Sequence, residues 1–145
     1  MKHEPIRVGQ IEIRFLVDAA DSGGALAMFE FSVQAGARVP MPHSHAHYDE
    51  TVYGLDGVIT FNVDGKPVRV GAGESCFIPR GAVHGFNNLE QTEAKGLAVV
   101  TPARIGPEFF IEAAALVNAG GPVDPEKIKA VMLKHGLVPA PGIAR

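Results

Sequence analysis

The sequence has little of several features that mark particular classes of protein. Cys76 is its one cysteine, so no disulfide can form within the chain and a reducing compartment, the cytoplasm, is the expected location. The longest apolar runs are far shorter than the roughly 18 residues needed to cross a bilayer. The segment Met1–Gly9 has no apolar stretch behind its charged residues, so it does not resemble a signal peptide. We therefore expect no membrane among the partners of this protein.

Runs of like charge are missing as well. The 145 residues hold 13 Lys and Arg against 16 Asp and Glu, a formal net charge of -3. Without a basic stripe the chain has nothing to pair with the phosphates of a nucleic acid. With 46% hydrophobic and 20% charged residues, the composition is that of a folded globular protein, and the length fits one domain.

Glycine and proline are plentiful by contrast, with 17 and 11 residues spread between short apolar runs. Apolar and polar residues alternate over 11–17 and 27–33, which predicts strands with one buried face. Asp64-Gly65 predicts a tight hairpin, because both residues tolerate a positive φ. Further strands are predicted over 58–63, 67–70, 75–78, 83–86 and 96–101. Strands at this spacing are typical of an antiparallel sandwich or a small barrel.

The periodicity changes in the last third of the chain. Pro107 can begin one helix, and Asp124-Pro125 is typical of the N-cap and first residue of a second. We expect a β-barrel over 1–102 and a helical extension over 103–145 that packs on the same domain. The helices are expected to serve packing or dimer contacts rather than chemistry, and residues 139–145 are expected to form a loose tail.

The histidines carry the clearest functional signal. His43, His45 and His47 alternate along the chain, and side chains two residues apart on a strand point to the same face. Imidazoles placed in this way can bind one ion at about 2.0–2.2 Å. Glu50 follows, and His84 comes after a turn rich in Gly and Pro; imidazole with carboxylate suits Fe, Mn, Ni, Cu or Zn better than Ca or Mg. The alternative is a set of solvated histidines on a loop.

Two stretches resemble the two motifs of the cupin superfamily. The first motif is matched by Gly36, His43, His45, Glu50 and Gly57, and the second by Gly73, Pro79, Gly81, His84 and Asn88. One extra residue between Gly36 and His43 departs from the pattern. The resemblance implies an all-β fold, the jelly-roll-like antiparallel β-barrel of a small single-domain cupin, here followed by two C-terminal helices. It also implies one divalent transition metal inside the barrel and a homodimer.

The cupin resemblance carries over four metal ligands: His43, His45, Glu50 and His84. His47 competes for a place among them, because it shares the strand parity of His43 and His45. Three alternate residues would spread over about 13 Å of a straight strand, too far for one ion. Pairing His45 with His47 would also leave too few residues before Glu50 for the cupin pattern. We therefore expect His47 at the rim of the site, or hydrogen-bonded to a ligand.

Three imidazoles and one carboxylate leave two adjacent positions of an octahedral ion for a substrate or dioxygen. The segment 49–57 is most similar to the quercetin dioxygenase branch of cupins. That similarity implies an oxidoreductase, a dioxygenase acting on a small organic substrate, with Glu50 also serving as catalytic base. A metal-dependent isomerase or lyase and a non-enzymatic small-molecule-binding cupin stay open as alternatives. Phe31, Phe61 and Phe86 are expected in the barrel core, with an apolar mouth around the metal as the other interpretation.

Overall fold

The fold was analysed in a computed structural model that describes residues 4–39 and 41–140. The strands of this part of the chain are β1 (Ile6–Val8), β2 (Ile11–Val17), β3 (Ala27–Val33), β4 (His43–His45), β5 (Asp49–Asp56), β6 (Ile59–Val63), β7 (Lys66–Val70), β8 (Ser75–Ile78), β9 (His84–Asn87), β10 (Ala94–Thr101) and β11 (Leu137–Pro139). The helices are α1 (Ala19–Ser22), α2 (Pro107–Val117) and α3 (Pro125–Lys134). The predicted fold class, β-structure followed by two C-terminal helices, is confirmed. None of these helices has both the length and the apolar character needed to cross a membrane.

The strands form two antiparallel sheets. One sheet has the order β1-β2-β3-β10-β5-β8 and the other the order β11-β4-β9-β6-β7. The predicted hairpin is confirmed: Asp64 and Gly65 have φ values of 49° and 81°, and β6 pairs with β7 on either side of them. Positive φ at both residues gives the turn the twist that its flanking strands require.

Alternating burial along the strands places the core between the sheets. On β3 every second residue from Ala27 to Val33 is buried, as the sequence pattern predicts. Phe15 and Phe61, from different sheets, are both 1% exposed. The same cluster of buried apolar side chains includes Phe110 from α2 and Met132 from α3, so the helices share the core of the sheets.

Local sequence explains where the two long helices begin and end. Pro107 is the first residue of α2, a position where the missing N–H of proline costs nothing. The Asp124 side chain accepts a hydrogen bond from the backbone N–H of Glu126 at 3.0 Å and caps α3. The turn after α3 contains Gly136 at φ 81°, a conformation that favours glycine. Both predicted helix starts are confirmed.

The segment after α3 differs from the prediction. Pro139 was expected to begin a loose tail, but Leu137–Pro139 forms β11 and pairs with β4 from Leu137↔His45 to Pro139↔His43. The backbone N–H of Ala140 extends the ladder by donating to the carbonyl of Pro42 at 2.9 Å. Three residues are too few to display an alternating pattern, so the sequence gives no signal for this strand. Residues 141–145 of the expected tail lie outside the described part of the chain.

Candidate metal centre

The candidate site lies between the two sheets, where three strands meet. His43 and His45 are on β4, and His43 is the Cα partner of His84 on the neighbouring strand β9. Glu50 is on β5, which belongs to the opposite sheet. Pairing of β4 with β9 therefore brings the two histidine-bearing segments together, and the facing sheet supplies the carboxylate.

The three histidines predicted as ligands converge, and Glu50 lies beside two of them. One ring nitrogen from each of His43, His45 and His84 lies within 4.8 Å of the others. The Nε2 atoms of His45 and His84 are 3.2 Å apart. Glu50 Oε1 lies 3.4 Å from His45 Nε2 and 3.7 Å from His84 Nε2. Two ligands of one metal at about 2.1 Å would lie about 3.0–3.4 Å apart for octahedral or tetrahedral angles. The separations of His45 Nε2 from His84 Nε2 and from Glu50 Oε1 lie in this range.

The backbone fixes which nitrogen of each imidazole faces the site. His43 Nδ1 lies 3.2 Å from the carbonyl of Met41, His45 Nδ1 3.3 Å from that of Tyr48, and His84 Nδ1 3.0 Å from that of Ala82. A carbonyl can only accept a hydrogen bond, so each Nδ1 is the protonated nitrogen and donates. The Nε2 atom of each neutral ring is then left with a free lone pair for a metal.

Lone pairs from these rings and an anionic carboxylate cannot face one another without a cation between them. His45 and His84 already use their Nδ1 protons on the backbone, and their Nε2 atoms point at each other and at Glu50. Either an added proton or a metal ion satisfies this arrangement. The donor set, imidazole nitrogen with carboxylate oxygen, is the one that divalent transition metals prefer.

The pKa values follow from the same contacts. Burial works to raise the pKa of Glu50, but hydrogen bonds from His45 and His84 outweigh it and lower the pKa to about 2. Burial and the neighbouring His84 lower the pKa of His43 to about 4. Burial also works against protonation of His84, yet the bond to Glu50 raises its pKa above the ordinary value. Near neutral pH the site thus offers an anionic carboxylate beside an uncharged His43 imidazole.

Tyr48 belongs to the site although the sequence did not single it out. Its ring stacks on the His45 ring with centroids 3.9 Å apart and planes 17° apart, and the side chain is 2% exposed. Burial, with the nearby Glu50 carboxylate, raises the pKa of the phenol, which keeps it protonated. Tyr48 stands two residues before Glu50, and side chains two apart on a strand point to the same face. This spacing is the one feature of the sequence that could have placed Tyr48 in the site.

The neighbouring candidates lie apart from this cluster. His47 is exposed and is not among the histidines that converge. Asn88 is fully buried, and its amide donates to the carbonyls of Val33 and Thr92 at 3.1 and 2.8 Å. Asn88 therefore ties the end of β3 to the turn before β10, which is a structural duty.

A cavity of about 790 Å³ opens from the candidate metal centre toward the helices. His43, Tyr48, Glu50 and His84 line one end of it, and side chains of α2 and α3 line the other. Phe31, Phe61 and Phe86 border the same space, so these residues both pack in the core and form an apolar wall beside the site. The volume is within the roughly 300–1,000 Å³ range of small-molecule pockets.

Comparisons with known proteins agree with this architecture. The cupin domain family model matches residues 29–100, the stretch that holds all four predicted ligands. Quercetin 2,3-dioxygenase from Bacillus subtilis is 30% identical over 67 residues, which are 46% of this chain and 20% of that enzyme. An uncharacterized protein from Aquifex aeolicus is 33% identical over 66 residues, 46% of this chain and 54% of that protein. The chain thus spans at most about half the length of these relatives.

Solved structures show the same fold. The crystal structure of a predicted oxalate decarboxylase from Thermotoga maritima superposes with a TM-score of 0.61 at 28% sequence identity, covering 68% of this chain and 90% of that one. Facing antiparallel sheets that enclose three histidines, with ring nitrogens close enough to share one ion, define a small β-sandwich protein of the metal-binding type. The chain belongs to the cupin superfamily.

Proposed function

We propose that this protein is a metal-dependent cupin oxidoreductase, a dioxygenase that acts on a small organic substrate. His43, His45, Glu50 and His84 would hold one divalent transition metal. The observation that carries the proposal is the convergence of three imidazoles, two of which face Glu50, with their Nδ1 atoms already bonded to backbone carbonyls. The local identity to quercetin 2,3-dioxygenase supports the oxygenase chemistry over other cupin activities.

The residues of the site can be assigned distinct tasks. Three backbone carbonyls orient the imidazoles, and the stacked Tyr48 ring keeps His45 from rotating. Glu50 is a ligand and also the base: its carboxylate would accept the proton of an enol or catechol-like hydroxyl. The contacts with His45 and His84 lower its pKa, so the carboxylate is ionised near neutral pH and free to accept a proton. The metal, when bound, would supply Lewis acidity and a place for dioxygen.

Metal analysis joined to oxygen uptake tests this proposal. Purified protein should contain about one divalent transition metal ion per chain, and chelation should remove both the metal and the activity. In air, the metal-loaded protein should consume O2 when it is given a catechol-like or enol substrate. Without O2 it should give no product. Anaerobic turnover would contradict the dioxygenase and identify an isomerase or lyase that uses the metal as a Lewis acid.

The lyase alternative has its own support. The Thermotoga structure is described as a predicted oxalate decarboxylase and is 28% identical, and decarboxylation breaks a carbon–carbon bond. Tight ligand binding with no turnover under either atmosphere would instead indicate a binding cupin. The homodimer implied by the family resemblance also remains a prediction, which light scattering of the purified protein checks.

A further inference from the structure

The wall of the cavity beyond the metal centre is almost entirely apolar. Away from the metal end, the described lining residues with polar side chains are Gln10 and Arg38, and both are exposed. The rest of that wall is aliphatic or aromatic. Away from Gln10 and Arg38, a charged or polyhydroxylated group placed against this wall would lose its hydration and find no partner in return, which opposes its binding.

Six phenylalanine rings form a continuous path along this wall. Phe86 stands two residues after His84 on β9, and its ring centroid is 5.5 Å from those of both Phe31 and Phe61. The path continues from Phe31 to Phe29 at 6.5 Å, from Phe29 to Phe110 at 5.5 Å and from Phe110 to Phe109 at 5.0 Å. Apolar surface therefore extends from the metal centre to α2.

The position of the Phe31 ring depends on one glycine in β10, the strand that pairs with β3. Gly96 is the Cα partner of Phe31, and a Cβ at Gly96 would lie 2.8 Å from Cζ of that ring. Such a contact is too close, so a larger residue would push the ring aside. Glycine at this position lets the Phe31 ring pack against the strand while it lines the cavity.

The helices complete the apolar enclosure. Ile128 and Met132 of α3 and Val117 of α2 line the cavity at the end away from the histidines. We propose that the cavity binds a ligand with an uncharged, apolar body, aromatic or alkyl, attached to an oxygen-bearing head that reaches the metal centre. The proposal rests on the proposed function for the head, whereas the body is assigned from the wall of the cavity alone. Oxalate, sugar phosphates and sugar acids do not fit this chemistry.

Binding of a graded series of catechols to the Zn²⁺-loaded protein tests the proposal. Zn²⁺ has no redox chemistry, so the ligands are not consumed during titration calorimetry. Each methylene that enters an apolar wall should tighten binding by about fourfold. We expect 4-butylcatechol to bind about 60-fold more tightly than 4-methylcatechol, and 3,4-dihydroxybenzoate to bind more weakly than either. Equal binding of the two alkyl catechols, or tighter binding of the dihydroxybenzoate, would overturn the proposal.

Substitutions in α2 and α3 test whether the alkyl chain binds at the helical end of the cavity. Ile128→Glu puts a charge on the cavity wall and should abolish the gain from the butyl chain. Val117→Thr exchanges a methyl group for a hydroxyl of similar size and should reduce the gain several-fold while leaving the fold intact. Leu133→Glu is the matched control, because Leu133 is 59% exposed and is not a lining residue; it should bind both catechols like the parent protein.

Two further outcomes separate this proposal from others. If Zn²⁺ does not bind, the proposed function fails, and 4-methylphenol and 4-butylphenol tested on the metal-free protein still report on the cavity wall. If chain length has no effect and Ile128→Glu instead changes the oligomeric state in light scattering, a second copy covers the cavity. That result would overturn the small-molecule assignment.

Discussion

The two ends of the cavity are built in different ways. At the metal end, each imidazole is held by a hydrogen bond to a backbone carbonyl, and the donors converge to within a few ångströms. At the helical end, the wall consists of apolar side chains held by packing alone. Hydrogen bonds fix direction, whereas apolar packing fixes only volume and shape. The reaction and the choice of ligand should therefore respond to different sets of mutations.

The largest expected effect is on metal affinity. His45→Ala or His84→Ala should weaken metal binding by more than about 100-fold, since groups that merely hydrogen-bond to a ligand already contribute about 10–100-fold. Calorimetric titration of the metal-free variants with Zn²⁺ measures this change. Far-UV circular dichroism should remain that of the parent protein.

His47→Ala is the matched control for these variants. His47 lies in the same segment but is exposed, so its removal should leave metal binding and activity within a factor of about two of the parent values. A loss as large as that of His45→Ala would show that His47 is a ligand and would contradict our assignment.

The next largest effect is on stability, at the helical end. Phe110 is 9% exposed, with its ring 5.8 Å from that of Phe15 and 5.5 Å from that of Phe29. Phe110→Ala should lower the free energy of unfolding by about 3–5 kcal/mol, because it removes buried surface and leaves a void. Urea denaturation measures the loss. Ile111→Ala, on the exposed face of the same helix at 55% exposure, should change it by less than about 0.5 kcal/mol.

Metal affinity sharpens the contrast between the two ends. Phe110→Ala should bind Zn²⁺ as tightly as the parent protein at temperatures where it is folded, because no bond to an imidazole is altered. A large loss of affinity in this variant would mean that packing at α2 sets the geometry of the histidines, and the two ends would not be independent.

The smallest effect concerns the polar contact between the helices. Glu112 on α2 accepts hydrogen bonds from Lys134 at 2.9 Å and from His135 at 3.1 Å. The bond from Lys134 is the main cause that lowers the pKa of Glu112 below its ordinary value. A carboxyl group with a lowered pKa stabilises the fold above its unfolded-state pKa, and this stabilisation is lost as the pH falls through the folded value.

Thermal unfolding of Glu112→Gln against the parent protein measures this contribution. The parent should have the slightly higher Tm at pH 7, and the difference should shrink as the pH falls below the ordinary glutamate pKa of 4.5. Glu126→Gln serves as the control, because the Glu126 side chain is 85% exposed and lies 3.9 Å from Lys129. A Tm difference that grows in acid would contradict the role assigned to Glu112.

Most of the fold could be predicted because its signals are local, whereas the four candidate ligands were expected from the resemblance of two separate stretches to the cupin motifs. Alternation over 27–33, the Asp64-Gly65 turn and the Asp124-Pro125 helix start each depend on neighbours in the chain. Tyr48 and β11 could not be predicted in the same way. The stacking of Tyr48 on His45 depends on the bend between β4 and β5, and β11 depends on a partner strand almost a hundred residues away in the sequence.

By itself the sequence determined that the chain makes short antiparallel strands and two late helices, and that histidines and a glutamate recur at cupin spacing. Only the tertiary structure decided that Tyr48 lies inside the site and that six phenylalanine rings line one cavity with the histidine cluster at its end. The physical reason is the range of the interactions. Turns and strand alternation follow from adjacent residues, whereas a cavity is the space that remains between segments distant in the chain.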